Sequence, residues 1–314
     1  MPKKQFTVAF YNLENLFDIY DDNLTNDNDF LPNSVKRWTS KRYYNKIRKL
    51  SYAIKNIGLE ETNFPPALLG FAEVENKLVL QDLINSSELK HHKYDFVHYN
   101  SPDERGIDVA LLYNKTIFTV TRSEPFSVDI YNEDGTKDYT RDILLVTGKL
   151  DGSVVHIIVN HWPSRHGGED VTEQKRLTAS NEVDNIINLI KQEHESPKII
   201  VMGDFNDDPY NKSMTQLTEK QDLFNPMRTL QSHDKGTTVH YTDWNLFDQI
   251  LFSTNFFEKR KGELTYKESD IFNERFLQVF KGKYEAAPFR TYIGKKYQGG
   301  YSDHFPVYIL LESY

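Results

Sequence analysis

Six places in the sequence set a polar or ionisable side chain where a run of core-forming residues ends or begins. Asn12 closes Phe6-Thr-Val-Ala-Phe-Tyr, Glu73 closes Ala67-Leu-Leu-Gly-Phe-Ala, and Asn160-His161 closes Val154-Val-His-Ile-Ile-Val. Asp204 and Asn206 follow Ile199-Ile-Val-Met-Gly, Asp248 lies inside Leu246-Phe-Asp-Gln-Ile-Leu-Phe, and Asp303-His304 comes just before Val307-Tyr-Ile-Leu-Leu. A core has no use for these groups, because a polar side chain withdrawn from water costs free energy unless it is paired. Singly, each has a bland reading: Asp and Asn are ordinary turn residues, and a strand-end Glu or His reaches solvent. Together they describe one rim carrying carboxylates, carboxamides and two imidazoles, with no thiol. Such oxygen donors suit a hard cation, Mg²⁺ or Mn²⁺, and imidazoles add proton transfer near neutral pH.

The elements behind this rim read as strands and covering helices. Ile199 to Met202 is a continuous apolar run, expected to be buried on both faces. Gly203 lets the backbone turn or approach something closely, and Asp207-Asp208-Pro209 stops the strand. On an extended chain Asp204 and Asn206 share a face. Asp151-Gly152 between two apolar runs signals a hairpin joining 142–150 to 154–160. Further strands are expected over Tyr94–Tyr99 and Ile107–Tyr113, and Asp108, near the start of the latter, requires a partner. Ile47, Leu50, Ile54 and Ile57 form a helical stripe that ends at Gly58. A short helix is expected over 77–89 and a long one over 172–194, stopping before Pro197. Leu13 to Asp18 reads as a loop, 21–33 as an acidic surface loop and 101–106 as a turn, while 258–300 shows no usable period.

The chain has 314 residues, 38% hydrophobic and 13% aromatic, enough for one large mixed α/β domain over 1–314, with no internal repeat visible. No apolar run reaches the roughly 20 residues of a membrane span. Without cysteine, thiolate metal sites and cysteine nucleophiles are excluded. No apolar leader follows Met1-Pro-Lys-Lys, so the cytoplasm is the default compartment, although a mature exported chain would look the same. A net charge of −8 disfavours indiscriminate nucleic-acid binding, and the basic stretch from Lys36 to Lys49, Lys46 included, reads as a solvated helix face. A monomer is expected.

The ordered set Tyr-Asn12, Ala-Glu73-Val, Asn-His161, Gly-Asp204-Phe-Asn206, Phe-Asp248-Gln-Ile and Ser-Asp303-His304 resembles the endonuclease/exonuclease/phosphatase family. The longer wording Phe-Tyr-Asn-Leu-Glu-Asn-Leu-Phe-Asp18, Ser-Pro-Asp-Glu-Arg-Gly-Ile-Asp108 and Asn-His-Trp-Pro-Ser-Arg165 resembles a bacterial branch of it. The resemblance implies a four-layer α/β/β/α sandwich, two mixed sheets flanked by helices, with the active site at one end. It implies a Mg²⁺-dependent phosphoesterase, with Mn²⁺ as the alternative ion. Glu73 is then the principal metal ligand, joined by Asp303, with Asn12 at the metal or its water. Asp204 holds the attacking water, and Asn206 fixes that water or the phosphate. His304 is backed by Asp248, and the base role lies open between Asp204 and His304. His161 acts on the scissile phosphate or the leaving oxygen, as in the deoxyribonuclease and sphingomyelinase branches and unlike the abasic-site endonucleases, with Asp108 as the candidate to orient it. Arg105, Arg141, Arg165 and Arg290, with Asn160, are candidates to bind substrate phosphate; for each Arg the alternative is a surface salt bridge.

The expected reaction is hydrolysis of a phosphodiester, nucleic acid among the candidates, because two histidines suit diester cleavage. The alternative is a phosphomonoester, lipid or inositol-phosphate substrate, toward which the acidic charge leans. A non-catalytic binding protein is the third reading, disfavoured because every expected position holds a competent residue.

Overall fold

The computed structural model describes residues 4–132, 134–240 and 242–313. Two six-stranded sheets stack face to face. The first contains β1 (Gln5–Leu16), β2 (Leu68–Val74), β3 (Tyr94–His98), β4 (Asp108–Asn114), β11 (Leu264–Ile271) and β12 (Val307–Ser313), in the order β11-β12-β1-β2-β4-β3. The second contains β5 (Phe118–Phe126), β6 (Ile143–Leu150), β7 (Ser153–His161), β8 (Ile199–Asp204), β9 (Leu223–Phe224) and β10 (Asp248–Ser253), in the order β9-β10-β8-β7-β6-β5. Helices α1 (Ser40–Asn56), α2 (Leu59–Thr62) and α3 (Lys77–Ile84) go with the first sheet, α4 (Glu169–Glu193) and α5 (Lys212–Gln221) with the second. This is the expected four-layer sandwich. Among the described residues, no helix is long and apolar enough to cross a membrane.

The two sheets repeat one topology. Each is built on a parallel pair, β1–β2 and β7–β8, joined by a helical crossover. Outside the second strand of each pair comes an antiparallel strand and then an edge strand, β4 then β3 and β10 then β9. Outside the first come β12 then β11, and β6 then β5. The crossovers differ in length: α1 has 17 residues and α4 has 25.

Strand alternation decides which side chains meet between the sheets. On β8, Ile200 and Met202 join the inter-sheet core, while Ile199 and Val201 join the cluster under α4 and α5. On β7, Val155, Ile157 and Val159 face the other sheet and Ile158 faces the helices. With a side-chain period of two, His161 and Asp204 come out on the inter-sheet face. Asp248 shares that face with Ile250 and Phe252.

Most expected elements are present within a few residues. The Asp151-Gly152 hairpin forms with positive φ at both residues. Leu13 to Asp18 is not a plain loop: β1 runs on to Leu16 through an irregularity with φ of 50° at Glu14 and 52° at Asn15. The stretch 258–300 supplies edge strand β11 and a small ribbon, Tyr292–Ile293 with Lys296–Tyr297. Edge strand β5 and helix α5 show too few apolar residues to stand out: β5 buries only Phe118, and the buried face of α5 is Ser213, Met214, Leu217, Thr218 and Gln221.

Candidate active site

Strand register assembles one row of the site. Asp204, the last residue of β8, is paired with His161 on β7 and with Asp248 on β10. Gly203 is needed here for close approach: a Cβ on it would run into Asn160 of the parallel neighbour. Asp204 is buried, and each of its oxygens accepts one hydrogen bond. Its Oδ2 accepts from Asn12 Nδ2 at 2.9 Å, and its Oδ1 accepts the Asn206 N–H at 3.0 Å. Burial pushes its pKa up to about 6, opposed by His304 and reinforced by Asp248.

His304 arrives from the segment before β12. Its Nδ1 lies 2.6 Å from Asp248 Oδ2, and its Nε2 lies 3.9 Å from Asp204 Oδ2 and 4.0 Å from Asp303 Oδ1. Burial disfavours the charged ring, but the Asp248 and Asp204 carboxylates outweigh it and hold the pKa well above the ordinary histidine value. The His304 segment is held in turn by the ribbon Thr238–His240 with Asp243–Asn245: Thr238 Oγ1 donates to the Asp303 carbonyl at 2.9 Å, and Ser302 Oγ bonds the Asn12 carbonyl at 2.7 Å.

Glu73 faces this row from the other sheet. Gly70 packs on Met202 between the sheets, so plain alternation would send Glu73 toward the helices. A bulge between Ala72 and Val74, with φ of 62° at Glu73, turns its carboxylate to the site. Glu73 Oε2 accepts the Asn15 N–H at 2.7 Å, and Oε1 lies 4.0 Å from His161 Nε2, which is 3.9 Å from Asp204 Oδ2. His161 is buried and its Nδ1 has no hydrogen-bond partner. Burial, then the Arg141 and Arg105 charges, hold its pKa well below the ordinary value. The neutral ring carries its proton on Nε2, where two carboxylates would repel a lone pair.

Beside Asp303 lies a charge network that the sequence reading did not identify. Arg290 Nη2 is 2.6 Å from Asp303 Oδ2, and Arg290 Nε is 3.7 Å from Glu14 Oε1. Lys46 is almost wholly buried, correcting its assignment to a solvated face; its Nζ bonds the Glu14 carbonyl and Thr291 Oγ1, each at 2.6 Å, and stands 3.7 Å from Glu14 Oε2. Burial pulls Lys46 down and pushes Glu14 up, each opposed by the other. The signal was present: Lys46 is three residues after Tyr43 and four before Leu50, on the buried stripe of α1 itself. Burial would raise Asp303, but Arg290, His304 and Lys46 together hold it below the ordinary carboxylate value.

Several expected site residues stand elsewhere or have other partners. Asp108 does not touch His161: it bonds His98 Nε2 at 2.9 Å and accepts from the Ser101 N–H and hydroxyl. Asn160, next to His161 on a strand, faces the opposite way. It is fully buried, donates to the Ile158 and Met202 carbonyls and accepts from Trp162 Nε1, so it is a fold residue. Arg165 is consumed by Asn206 O, Asp207, Asp208, Asn211 and Glu169. Arg141 is buried between Asp103 Oδ2 and the Trp162 carbonyl, 3.0 Å from each. Asn206 is not extended: with φ of 50° it forms an Asx turn onto Asp204, and its Nδ2 donates to the Trp162 carbonyl at 3.0 Å. The Asn12 oxygen is engaged by the Glu14 N–H at 2.9 Å while its amide holds Asp204. Of the four candidate arginines, Arg105, bonded to Asn15 Oδ1 and 3.8 Å from Glu73 Oε2, and Arg290 keep 45% and 43% of their side chains exposed.

The donor set fits a hard divalent cation. Asp204, Asp248 and His304 offer ligand atoms within 4.8 Å of one another. A protonated His304 has no lone pair for a metal, however, so that trio suits proton chemistry. Glu73 and Asp303 bring carboxylate oxygens from the other sheet and rim, the type Mg²⁺ and Mn²⁺ select.

Comparison with known proteins agrees with this architecture. A model described as the Endonuclease/Exonuclease/phosphatase family matches residues 7–313. No curated protein matches the sequence. Among solved structures, the D. rerio TDP2 complexed with single-strand DNA product is 16% identical, with a TM-score of 0.58 and 98% of each chain covered. A Bacteroides vulgatus endonuclease/exonuclease/phosphatase is 16% identical, with a TM-score of 0.61, covering 99% of this chain and 100% of that one. The Bacteroides thetaiotaomicron mannosyl-6-phosphatase is 16% identical, with a TM-score of 0.60 and coverage of 98% and 99%. At these identities the likeness carries the fold.

Proposed function

Because this chain belongs to the endonuclease/exonuclease/phosphatase family, whose members are phosphoesterases, we propose that it is a divalent-metal-dependent phosphodiesterase acting by in-line attack of an activated water. The observation that carries the reading is the row His161–Asp204–Asp248 with His304 on Asp248, facing Glu73 across the sheets.

Asp204, at about 6, is ionised at neutral pH yet more basic than an ordinary carboxylate, which suits it to take the proton of the attacking water. Asn12 and the Asn206 N–H fix both its oxygens, so its orientation needs no reorganisation. His304, held as an imidazolium by Asp248, is a poor base and instead stabilises negative charge on the phosphoryl oxygens. On this reading Asp204 is the base. His161 donates its Nε2–H to a phosphoryl oxygen. Arg105 and Arg290 add guanidinium contacts to the phosphate. A divalent ion held by Glu73 and Asp303, Mg²⁺ or Mn²⁺, would supply Lewis-acid polarisation of the phosphoryl oxygen.

Two relatives of the fold bear on the substrate: one is described with a single-strand DNA product, the other as a sugar-phosphate phosphatase. The two-histidine row favours the diester and keeps the monoester as the second reading. The test is a panel of bis-p-nitrophenyl phosphate, p-nitrophenyl phosphate, a single-stranded oligonucleotide and an inositol polyphosphate, with Mg²⁺ and with EDTA. Diester hydrolysis abolished by EDTA is expected. Monoester hydrolysis alone moves the protein to the second reading, and no hydrolysis of any ester rejects both.

A further inference from the structure

A cavity of about 310 Å³ opens directly beside the Arg290–Asp303 pair, and both residues line it. That volume is at the lower end of ligand pockets, roughly 300–1,000 Å³. One wall is Val239, on the ribbon that holds Asp303 and His304 through Thr238. Facing it are Phe280, Tyr284 and Ile293, with Phe289 beside Arg290. Phe280 is 58% exposed, Tyr284 43% and Ile293 52%. Single exposed apolar residues on a surface are ordinary, but these converge on one concavity that shares its charged end with the catalytic row.

The chemistry of the walls selects a partner. Aromatic faces bind flat rings by stacking and edge contacts, and the space is large enough for a ring system. The polar lining residues are His240, Gln298, Arg290 and Asp303; a bare sugar would set its remaining hydroxyls against the apolar walls, and unpaired polar groups are costly. Arg290, reaching from the cavity to the site, joins a phosphate to whatever the cavity holds.

We propose that this cavity seats a flat aromatic ring, a nucleobase or a simple aryl group, carried by the substrate whose phosphate lies over Asp204 and His304. The proposal rests on the phosphoesterase reading above and names the substrate class for that site.

The test measures affinity by calorimetry for three ligands: thymidine 5′-monophosphate, phenyl phosphate and 2-deoxyribose 5-phosphate. Wild type is compared with Phe280→Ala and Tyr284→Ala, both exposed positions, with circular dichroism to confirm folding. The ring-bearing ligands should bind about tenfold or more tighter than the sugar phosphate, the order of one base stacked on an aromatic residue. Each variant should lose most of that advantage and leave the sugar phosphate's affinity unchanged. Thymidine monophosphate binding tighter than phenyl phosphate identifies a nucleobase; the reverse identifies a simple aryl group. Equal affinities in wild type, or equal losses for all three ligands, overturn the proposal. Hydrolysis is assayed separately: a ring preference in a protein that cleaves no ester leaves the cavity assignment standing and removes the phosphoesterase reading.

Discussion

Asp248 Oδ2 and His304 Nδ1 lie 2.6 Å apart, although 56 residues separate them in the chain. Asp248 opens β10, paired with Asp204, while His304 is carried in by the segment before β12 in the other sheet. The pair therefore bridges the two sheets at the rim, held there by the closed sandwich and by Thr237 and Thr238, which bond Asp248 N–H and the Asp303–His304 segment. Asp248 Oδ1 is buried with no hydrogen-bond partner among the described residues, so His304 is the group that hydrogen-bonds this carboxylate.

Asp248→Asn and His304→Ala should each lower kcat by about 10²–10⁴-fold with small effects on KM. Because they act as a unit, the double variant should lose little more than either single variant. Steady-state kinetics on a diester checks this; a double loss equal to the product of the single losses would dissolve the pairing.

The acid limb of kcat/KM should follow Asp204, rising with pH through about 6 as the carboxylate ionises. Its alkaline limb should lie above the ordinary histidine range, because His304 gives up its proton late. Asn12 Nδ2 donates to the ionised form of Asp204, which lowers its pKa. Asn12→Ala should therefore move the acid limb to higher pH. A limb that stays in place or moves down would assign it to another group.

Glu73→Gln should remove most activity while the protein stays folded, since the side chain is at the rim and Gln can still accept the Asn15 N–H. EDTA should silence the wild type and Mg²⁺ or Mn²⁺ restore it. Full activity in EDTA would sink the metal reading.

Several residues show what the sequence can and cannot express. Asp204, His161 and His304 were legible because each ends or precedes an apolar run, and Asp248 as the one acid inside such a run; register then sets three of them side by side. Asn160 carries the same signal as His161, but a period of two sends neighbours to opposite faces. Glu73 was found only through its company: taken alone, alternation points it the wrong way, and the bulge that corrects it has no marker in Phe-Ala-Glu-Val. Asp108 signalled its need for a partner but not which one, because His98 lies across a hairpin and His161 across the sandwich. Lys46 was hidden by neighbouring Lys and Arg that do face water.

Asn160→Ala should act on the fold. Its amide ties β7 to β8 at the Met202 carbonyl and its oxygen satisfies Trp162 Nε1, all out of water. Leaving such groups unpaired costs about 1–3 kcal/mol each. Urea denaturation should show a loss of that size, with kcat per folded molecule nearly unchanged; a large fall in kcat without loss of stability would return Asn160 to the site.

His161 is assigned to the phosphoryl oxygen and not to the leaving oxygen, and the leaving group tells the two apart. The His161 ring is buried with Glu73 and Asp204 about 4 Å from Nε2, and burial, then the Arg141 and Arg105 charges, keep it neutral. A neutral imidazole donates a hydrogen bond through Nε2 but is a weak source of a full proton. His161→Ala should then slow a diester with an alkoxide leaving group and one with a p-nitrophenyl leaving group by similar factors, on the order of 10²-fold or more. His161→Gln, which keeps an N–H donor near the same place, should recover part of the loss on both. A loss confined to the alkoxide substrate, with no recovery by Gln, would instead make His161 the acid that protonates the leaving oxygen. The substrate would then have to bring enough negative charge to lift the ring back into its titrating range.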